Sequence, residues 1–262
     1  MKKNLILLFI ILSISLFSEP ELNKQFLLNY LNDGAKVVTS PLRWDKTDWL
    51  KAGVISGVTV GLYTLADEEI QKNVQNNKTD FLDEFANGPR LLGDGLFVLG
   101  SQAGVYLYGN VTDNEKLMRA SLLSLESYII SGGIVMIMKA SGQRHRPYED
   151  DGHNVWDGPS LFPDHRSFPS GHSSSAFSVA TVFATVYSDV RFVPTISYSL
   201  ATLAALSRVY DDKHWSSDIF FGSAVGYFTA KAIVKYNTGK TGLAVYPSIN
   251  DDDIYLNCRL GF

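Results

Sequence analysis

The sequence predicts an all-α protein: a helical bundle closed by a short C-terminal β-hairpin. Three observations predict it. Apolar runs of helical length recur between Leu50 and Tyr236. Strand-like alternation is confined to the stretch after Gly242. Glycine, alanine and serine punctuate the apolar runs, which lets helices pack closely. The pattern gives about six or seven helices and no parallel sheet. No long repeat and no low-complexity linker divides the 262 residues, so one domain with a sizeable core is expected.

In chain order, Lys2 and Lys3 precede an apolar run from Leu5 to Phe17, and polar sequence resumes at Glu19. This has the form of a secretory signal peptide, residues 1–18, cut after Ser18. An uncleaved anchor is the alternative, although the run is short for a spanning helix. Export to the periplasm or cell envelope of a bacterium is the expectation, with residues 19–240 as the helical domain and 241–262 as a tail. Phe26, Leu27, Tyr30 and Leu31 predict a short amphipathic helix, and Asp33-Gly34 reads as a turn. Asp45 to Trp49 opens a helix over Leu50–Ala66, with Gly53, Gly57 and Gly61 spaced along it. Asp67 to Arg90 is polar, with a loop expected at Asn87-Gly88-Pro89. Helices follow over Leu91–Tyr108 and Asp113–Met138; Asp113 and Glu115 suit the positive end of the second. Glu126, in its middle, would sit poorly against lipid. Further helices are expected over Ser174–Tyr187, from Pro194 to about Ser207, and over Ser216–Tyr236. Gly242–Ser248 and Asp253–Phe262 flank Asn250-Asp251-Asp252, as in a hairpin.

Composition narrows the function. The chain is 45% hydrophobic and 19% charged, with formal net charge −4. That acidic balance argues against nucleic acid as a partner. A mean hydropathy of +0.01 is low for a polytopic membrane protein, so soluble and membrane-attached forms both stay open. Cys258 is the single cysteine, which excludes an internal disulfide and a four-cysteine metal site.

Three clusters carry ionisable and small residues at unusual density. The first runs from Lys139 through Arg144, His145 and Arg146 to Pro147. Alone, it is a helix-end charge followed by a solvated basic loop. The second is Ser167-Phe168-Pro169-Ser170-Gly171-His172, a turn feeding a small-residue helix. Free N–H groups at such a start attract anions, and a histidine there can exchange a proton with what they hold. Alone, it is a capped turn. The third is Ser207-Arg208, then His214 and Asp218, four apart and on one face if helical. A carboxylate beside an imidazole fixes its tautomer. Alone, this is an ordinary surface pair. Together the clusters offer Lys139, Arg146 and Arg208 as cations around a tetrahedral oxyanion. Ser170 and the N–H of Gly171 add donors, His214 oriented by Asp218 offers a nucleophile, and His172 offers a proton.

In order and internal spacing these motifs resemble the three-part signature of the type 2 phosphatidic acid phosphatase and vanadium haloperoxidase superfamily. The resemblance covers about residues 115–235. It implies a helical bundle of that type, a site formed by loops and helix ends, and phosphatase activity that needs no metal or cofactor. Phosphate or vanadate can occupy such a site. Its implied chemistry has two steps. His214 attacks phosphorus while His172 protonates the leaving alkoxide, and His172 then activates water against the phosphohistidine. Asp218 keeps the tautomer, while Lys139, Arg146, Arg208, Ser170 and Gly171 bind the equatorial oxygens.

Alternatives are a soluble periplasmic acid phosphatase, a vanadium-dependent haloperoxidase, a metal centre built on His172, His214 and Asp218, and a non-catalytic envelope protein. Three neighbouring cations argue against the metal. The expected substrate is a phosphorylated lipid or small phosphomonoester, with membrane association possible in principle. His145, His153 and His165 have no assigned role; His153, Trp156 and Phe162 lie between clusters, where a substrate mouth would be.

Overall fold

The computed structural model describes residues 24–161, 165–238, 243–250 and 253–260, with side chains described over 28–161 and 165–238. The expected signal peptide and Phe162 lie outside these residues. The described chain is helical. Among the described residues, nine α-helices run as α1 Lys24–Val38, α2 Lys46–Leu65, α3 Asp67–Asn76, α4 Asp80–Leu91, α5 Gly95–Val111, α6 Glu115–Gly142, α7 Gly171–Val186, α8 Val193–Tyr210 and α9 Ser216–Asn237. The backbones of β1, Leu243–Asn250, and β2, Asp253–Leu260, run antiparallel from Leu243 opposite Leu260 to Asn250 opposite Asp253. The turn expected between them, at 251–252, and the side chains of both strands lie outside the described residues.

Two sequence expectations change. Asp33-Gly34 is not a turn but part of α1. Asp33 is buried there and pairs with Lys36 at 2.6 Å, and Gly34 faces Ile130 of α6. Tertiary contact thus overrides a local turn signal. The polar stretch 67–90 is also mostly helical. Thr79 caps α4 by accepting the Leu82 N–H, and Asp80 and Asp83 occupy the first turn. Pro89 lies inside α4, two residues before its end, so its missing N–H removes a bond only from the last turn.

Helix α7 is the centre of the bundle, packed by α9, α8 and α6. Its small side chains permit this. Ser173, Ser174, Ala176, Ser178 and Ala180 are all buried. Gly222 and Gly226 of α9 lie directly over its backbone. A Cβ on Gly226 would stand 2.2 Å from the Ser174 carbonyl, and one on Gly222 2.4 Å from that of Ser170. Leu123, Val182, Ala230 and Ile233 form the apolar core between α6, α7 and α9. Glu126 points inward and is buried, so α6 does not offer it to the surroundings.

The outer faces are unusually apolar. Val54, Val58 and Leu65 of α2, Leu96 and Leu107 of α5, and Ile196, Leu200 and Leu206 of α8 are exposed. No charged residue interrupts α2 after Lys51 or any part of α5, and Arg208 is the one charge of α8. Helix α6 is long and apolar enough to cross a membrane, with half of its most apolar window buried. Helices α2, α8 and α9 also line an apolar groove of about 750 Å³.

Candidate active site

The predicted residues come from four helix ends and two loops. Lys139 sits in the last turn of α6, which stops where Gln143 adopts a left-handed conformation. Its ammonium is held by the carbonyls of Arg166 and, at 3.4 Å, Ser167. Arg146 follows in the next loop, with its guanidinium 5.9 Å from the Tyr148 ring. Arg208 lies in the last turn of α8 and is 8% exposed. One of its terminal nitrogens donates to Asp211 at 2.7 Å, while its Nε is buried without a hydrogen-bond acceptor. The charges converge: that of Arg146 acts on Lys139, His172, Arg208 and His214.

Ser170 is the N-cap of α7. Its Oγ accepts the Ser173 N–H at 3.3 Å, and its own N–H donates to the Asp218 carbonyl at 3.0 Å. The second bond pins the start of α7 to the start of α9. Gly171 and His172 open α7. No side chain crowds Gly171, since a Cβ there would find only Val135, at 3.9 Å. Gly93 is the crowded glycine beside the site: a Cβ there would stand 2.6 Å from the His172 carbonyl.

His214 is in the turn before α9 rather than on it. Asp218 still reaches it, because Asp218 is the third residue of α9 and closes a capping box on the Trp215 N–H at 2.9 Å. The same Oδ2 stands 3.6 Å from His214 Nδ1. That is ion-pair range and longer than a hydrogen bond, and Nδ1 is buried without another acceptor or donor. Burial pulls the His214 imidazole down to about 3, against the opposing pull of Asp218. Burial, then the charge of Arg208, brings His172 to about 4. Burial raises Asp218, but His214, Arg144 and Ser167 outweigh it and hold the carboxyl below the usual carboxylate range. The cluster therefore presents two neutral imidazoles, one anionic carboxylate, two guanidinium cations and the desolvated Lys139 amine.

Sequence reasoning missed four contributors. Arg144 donates to Asp218 at 2.6 Å and to Asp67 at 2.7 Å. Ser167 donates its hydroxyl to Asp218 Oδ2. Asp211 tethers Arg208. Arg144 stood inside a cluster already singled out, whereas Asp67 carried no local signal at all. His172 and Arg208 also line a polar cavity of about 430 Å³ together with Lys78, Arg90, Asp94 and Lys213. That is the open side of the cluster.

The remaining histidines lie elsewhere. His153 bonds Glu68 at 2.9 Å, and Trp156 packs at a tilt against Phe168. His145 and His165 stack at 3.6 Å, edged by Glu149, Asp151 and Asp157. Among the described residues, this brace holds the histidine and carboxylate groups whose ligand atoms converge closely enough for a metal ion. His172, His214 and Asp218 are not among them.

Residues 120–241 match the PAP2 superfamily model. The chain is 35% identical to a lipid A 1-phosphatase of Porphyromonas gingivalis over 98 residues, 37% of this chain and 19% of the relative. It is 36% identical to a putative phosphatidate phosphatase of Drosophila melanogaster over 81 residues, 27% of this chain and 21% of the relative. The match thus spans about a fifth of each of these curated relatives. Among solved structures, LpxE of Aquifex aeolicus aligns with a TM-score of 0.48 at 24% identity, covering 65% of this chain and 95% of that one.

Proposed function

The chain belongs to the PAP2 superfamily through residues 120–241, and from that premise we propose that it is a lipid phosphate phosphatase of the bacterial envelope working through a phosphohistidine. The observation that carries this reading is the convergence of Lys139, Arg146 and Arg208 on two imidazoles, His172 at the start of α7 and His214 just before α9. A phosphate monoester needs that combination: cations for its equatorial oxygens, a nucleophile, and a proton for the leaving oxygen.

In the first step the Nε2 lone pair of His214 attacks phosphorus in line. The N–P bond forms as the P–O bond to the alcohol breaks, and His172 gives its proton to the departing alkoxide. A nucleophile must be neutral, and burial keeps His214 so. His172 must first be charged. Burial and, after it, the Arg208 cation oppose this in the free site. Substrate phosphate beside Arg208 offsets that cation and favours the proton. In the second step water attacks the phosphohistidine, His172 takes the water proton, and the N–P bond breaks to release phosphate and neutral His214. Asp218 balances the positive charge His214 carries in between. No metal or cofactor has a part in this scheme.

A lipid substrate and a membrane seat are supported by the apolar outer faces of α2, α5 and α8 and by the names of the two curated relatives. We place those faces against acyl chains. The N-terminal address and the C-terminal hairpin fit an envelope protein and stay part of this proposal.

The test is phosphate release from a panel of lipid and soluble phosphomonoesters by the full chain in detergent, with trapping of phosphoenzyme by an alkaline denaturing quench, since phosphohistidine is labile to acid. Lipid substrates should be preferred, and His214→Ala should lose turnover and phosphoenzyme together. Wild-type turnover in His214→Ala overturns the mechanism; equal turnover of soluble esters overturns the lipid assignment.

A further inference from the structure

Arg144 heads the fully buried side chains of the described residues. All five of its N–H donors are engaged. Nε donates to the His153 carbonyl at 3.0 Å, one terminal nitrogen to Ser217 Oγ at 2.8 Å and Asp218 Oδ1 at 2.6 Å. The other donates to Asp67 Oδ2 at 2.7 Å and again to the His153 carbonyl, at 2.8 Å. Tyr63 and Trp215 lie against the guanidinium, with ring centroids 4.8 and 5.4 Å away. Nothing of it is left for a substrate.

Asp67 is equally committed. Its Oδ1 accepts from Ser216 Oγ at 2.6 Å and the Ser217 N–H at 2.8 Å, and its Oδ2 accepts from Ser217 Oγ at 2.6 Å. Asp67, Arg144 and Asp218 are thus three buried charges in alternating order, ending 3.6 Å from His214. Removing such charges from water is expensive, and an apolar contact would tie the same helices together at lower cost. The arrangement does something an apolar contact cannot. Arg144 fixes one oxygen of Asp218 while Ser167 and the Trp215 N–H fix the other, so the carboxylate has one orientation left.

We propose that Arg144 and Asp67 are positioning residues that extend the His214–Asp218 pair into a four-member relay, holding Asp218 ionised and aimed at His214. This rests on the reading of His214 as the nucleophile. The two outer members act in opposite senses. Arg144 draws negative charge away from Asp218, and Asp67 draws on Arg144 and so gives some of it back.

The test uses Arg144→Lys and Asp67→Asn in the full chain, each checked by thermal unfolding, with single-turnover phosphoenzyme formation followed against pH. A lysine ammonium, with three donors on one nitrogen, cannot reproduce the five bonds of the guanidinium, which reach both carboxylates. In Arg144→Lys, Asp218 is less neutralised, and the acid limb of phosphoenzyme formation should move up by about one pH unit. In Asp67→Asn, Arg144 bears on Asp218 alone. His214 becomes a weaker base, so phosphorylation should slow about tenfold with the acid limb moved down and KM within about threefold. A brace with no electrostatic role predicts lower melting temperatures and unmoved limbs in both, and that result overturns the proposal. If Arg144→Lys does not fold, Asp67→Asn decides alone: wild-type rate and limb overturn it. Absence of phosphohistidine in the wild type would instead overturn the mechanism on which the relay depends.

Discussion

Arg208→Ala isolates oxyanion binding from the chemistry. The guanidinium is 8% exposed, is tethered to Asp211 at 2.7 Å, and has a buried Nε with no acceptor in the protein. It is therefore pre-aimed, and binding an anion costs it little side-chain entropy. A hydrogen bond to a charged group contributes about 1.5–3 kcal/mol, so two such bonds would give about 3–6. Water filling the space left by alanine recovers part of that. A net loss of about 3–4 kcal/mol is the expectation, which is about 100- to 1,000-fold in affinity. Arg208→Lys keeps the charge but not the paired geometry and should lose about tenfold. Alanine also frees the Asp211 carboxylate, whose remaining cation, Arg90, stands 3.9 Å away. The assay is competitive inhibition by orthovanadate beside kcat/KM for one lipid phosphate. A vanadate Ki in Arg208→Ala within threefold of wild type would refute the reasoning, because no group of this burial and aim can leave an oxyanion site unnoticed.

Three further outcomes follow from the same geometry. The pH optimum of kcat/KM should fall below the ordinary imidazole value of about 6.5, since the acid His172 loses its proton near pH 4 in the free site. The basic limb of kcat should lie higher, because bound phosphate offsets Arg208; coincident limbs speak against that coupling. Gly226→Ala should destabilise the fold by about 1–3 kcal/mol, since its Cβ would meet the Ser174 carbonyl at 2.2 Å. Gly100→Ala, with open space around it, should leave the melting temperature unchanged or raised. Neutralising Arg90 or Lys213, on the open side of the cluster, should raise KM a few-fold at low salt with kcat unchanged, and the difference should vanish at high salt.

What the sequence disclosed was whatever is written locally. Asp45 announces α2, Pro194 announces α8, and the apolar runs announce α5, α6, α7 and α9. Each is a pattern of neighbours along the chain. The site residues were equally legible, since each motif places its members within a few residues of one another. The failures are non-local. Asp33-Gly34 has turn chemistry, but burial against α6 keeps it helical. Asp67 to Arg90 has too little apolar periodicity to mark helices, yet capping by Thr79 and contact with α8 form them. Asp67 could not be linked to the site at all, because its partner Ser217 lies 150 residues away.

The same non-local packing explains why motifs so far apart in the chain come together. Lys139, His172 and His214 belong to separate elements, and nothing in their spacing fixes the distances between them. The glycines of α9 do. Gly222 lies where a Cβ would collide with the Ser170 carbonyl, so α9 can reach the α7 backbone at the level of the site. The Ser170 N–H then bonds the Asp218 carbonyl at 3.0 Å, which registers the two helix starts against each other. With that register set, the residue after Gly171 and the residue before Trp215 are the two histidines. Packing and the arrangement of the candidate site are thus not separable at this point of the fold. A substitution at Gly222 that never touches phosphate should disturb the histidines as surely as a change in the motif, and it should do so by parting His172 from His214 rather than by altering either one.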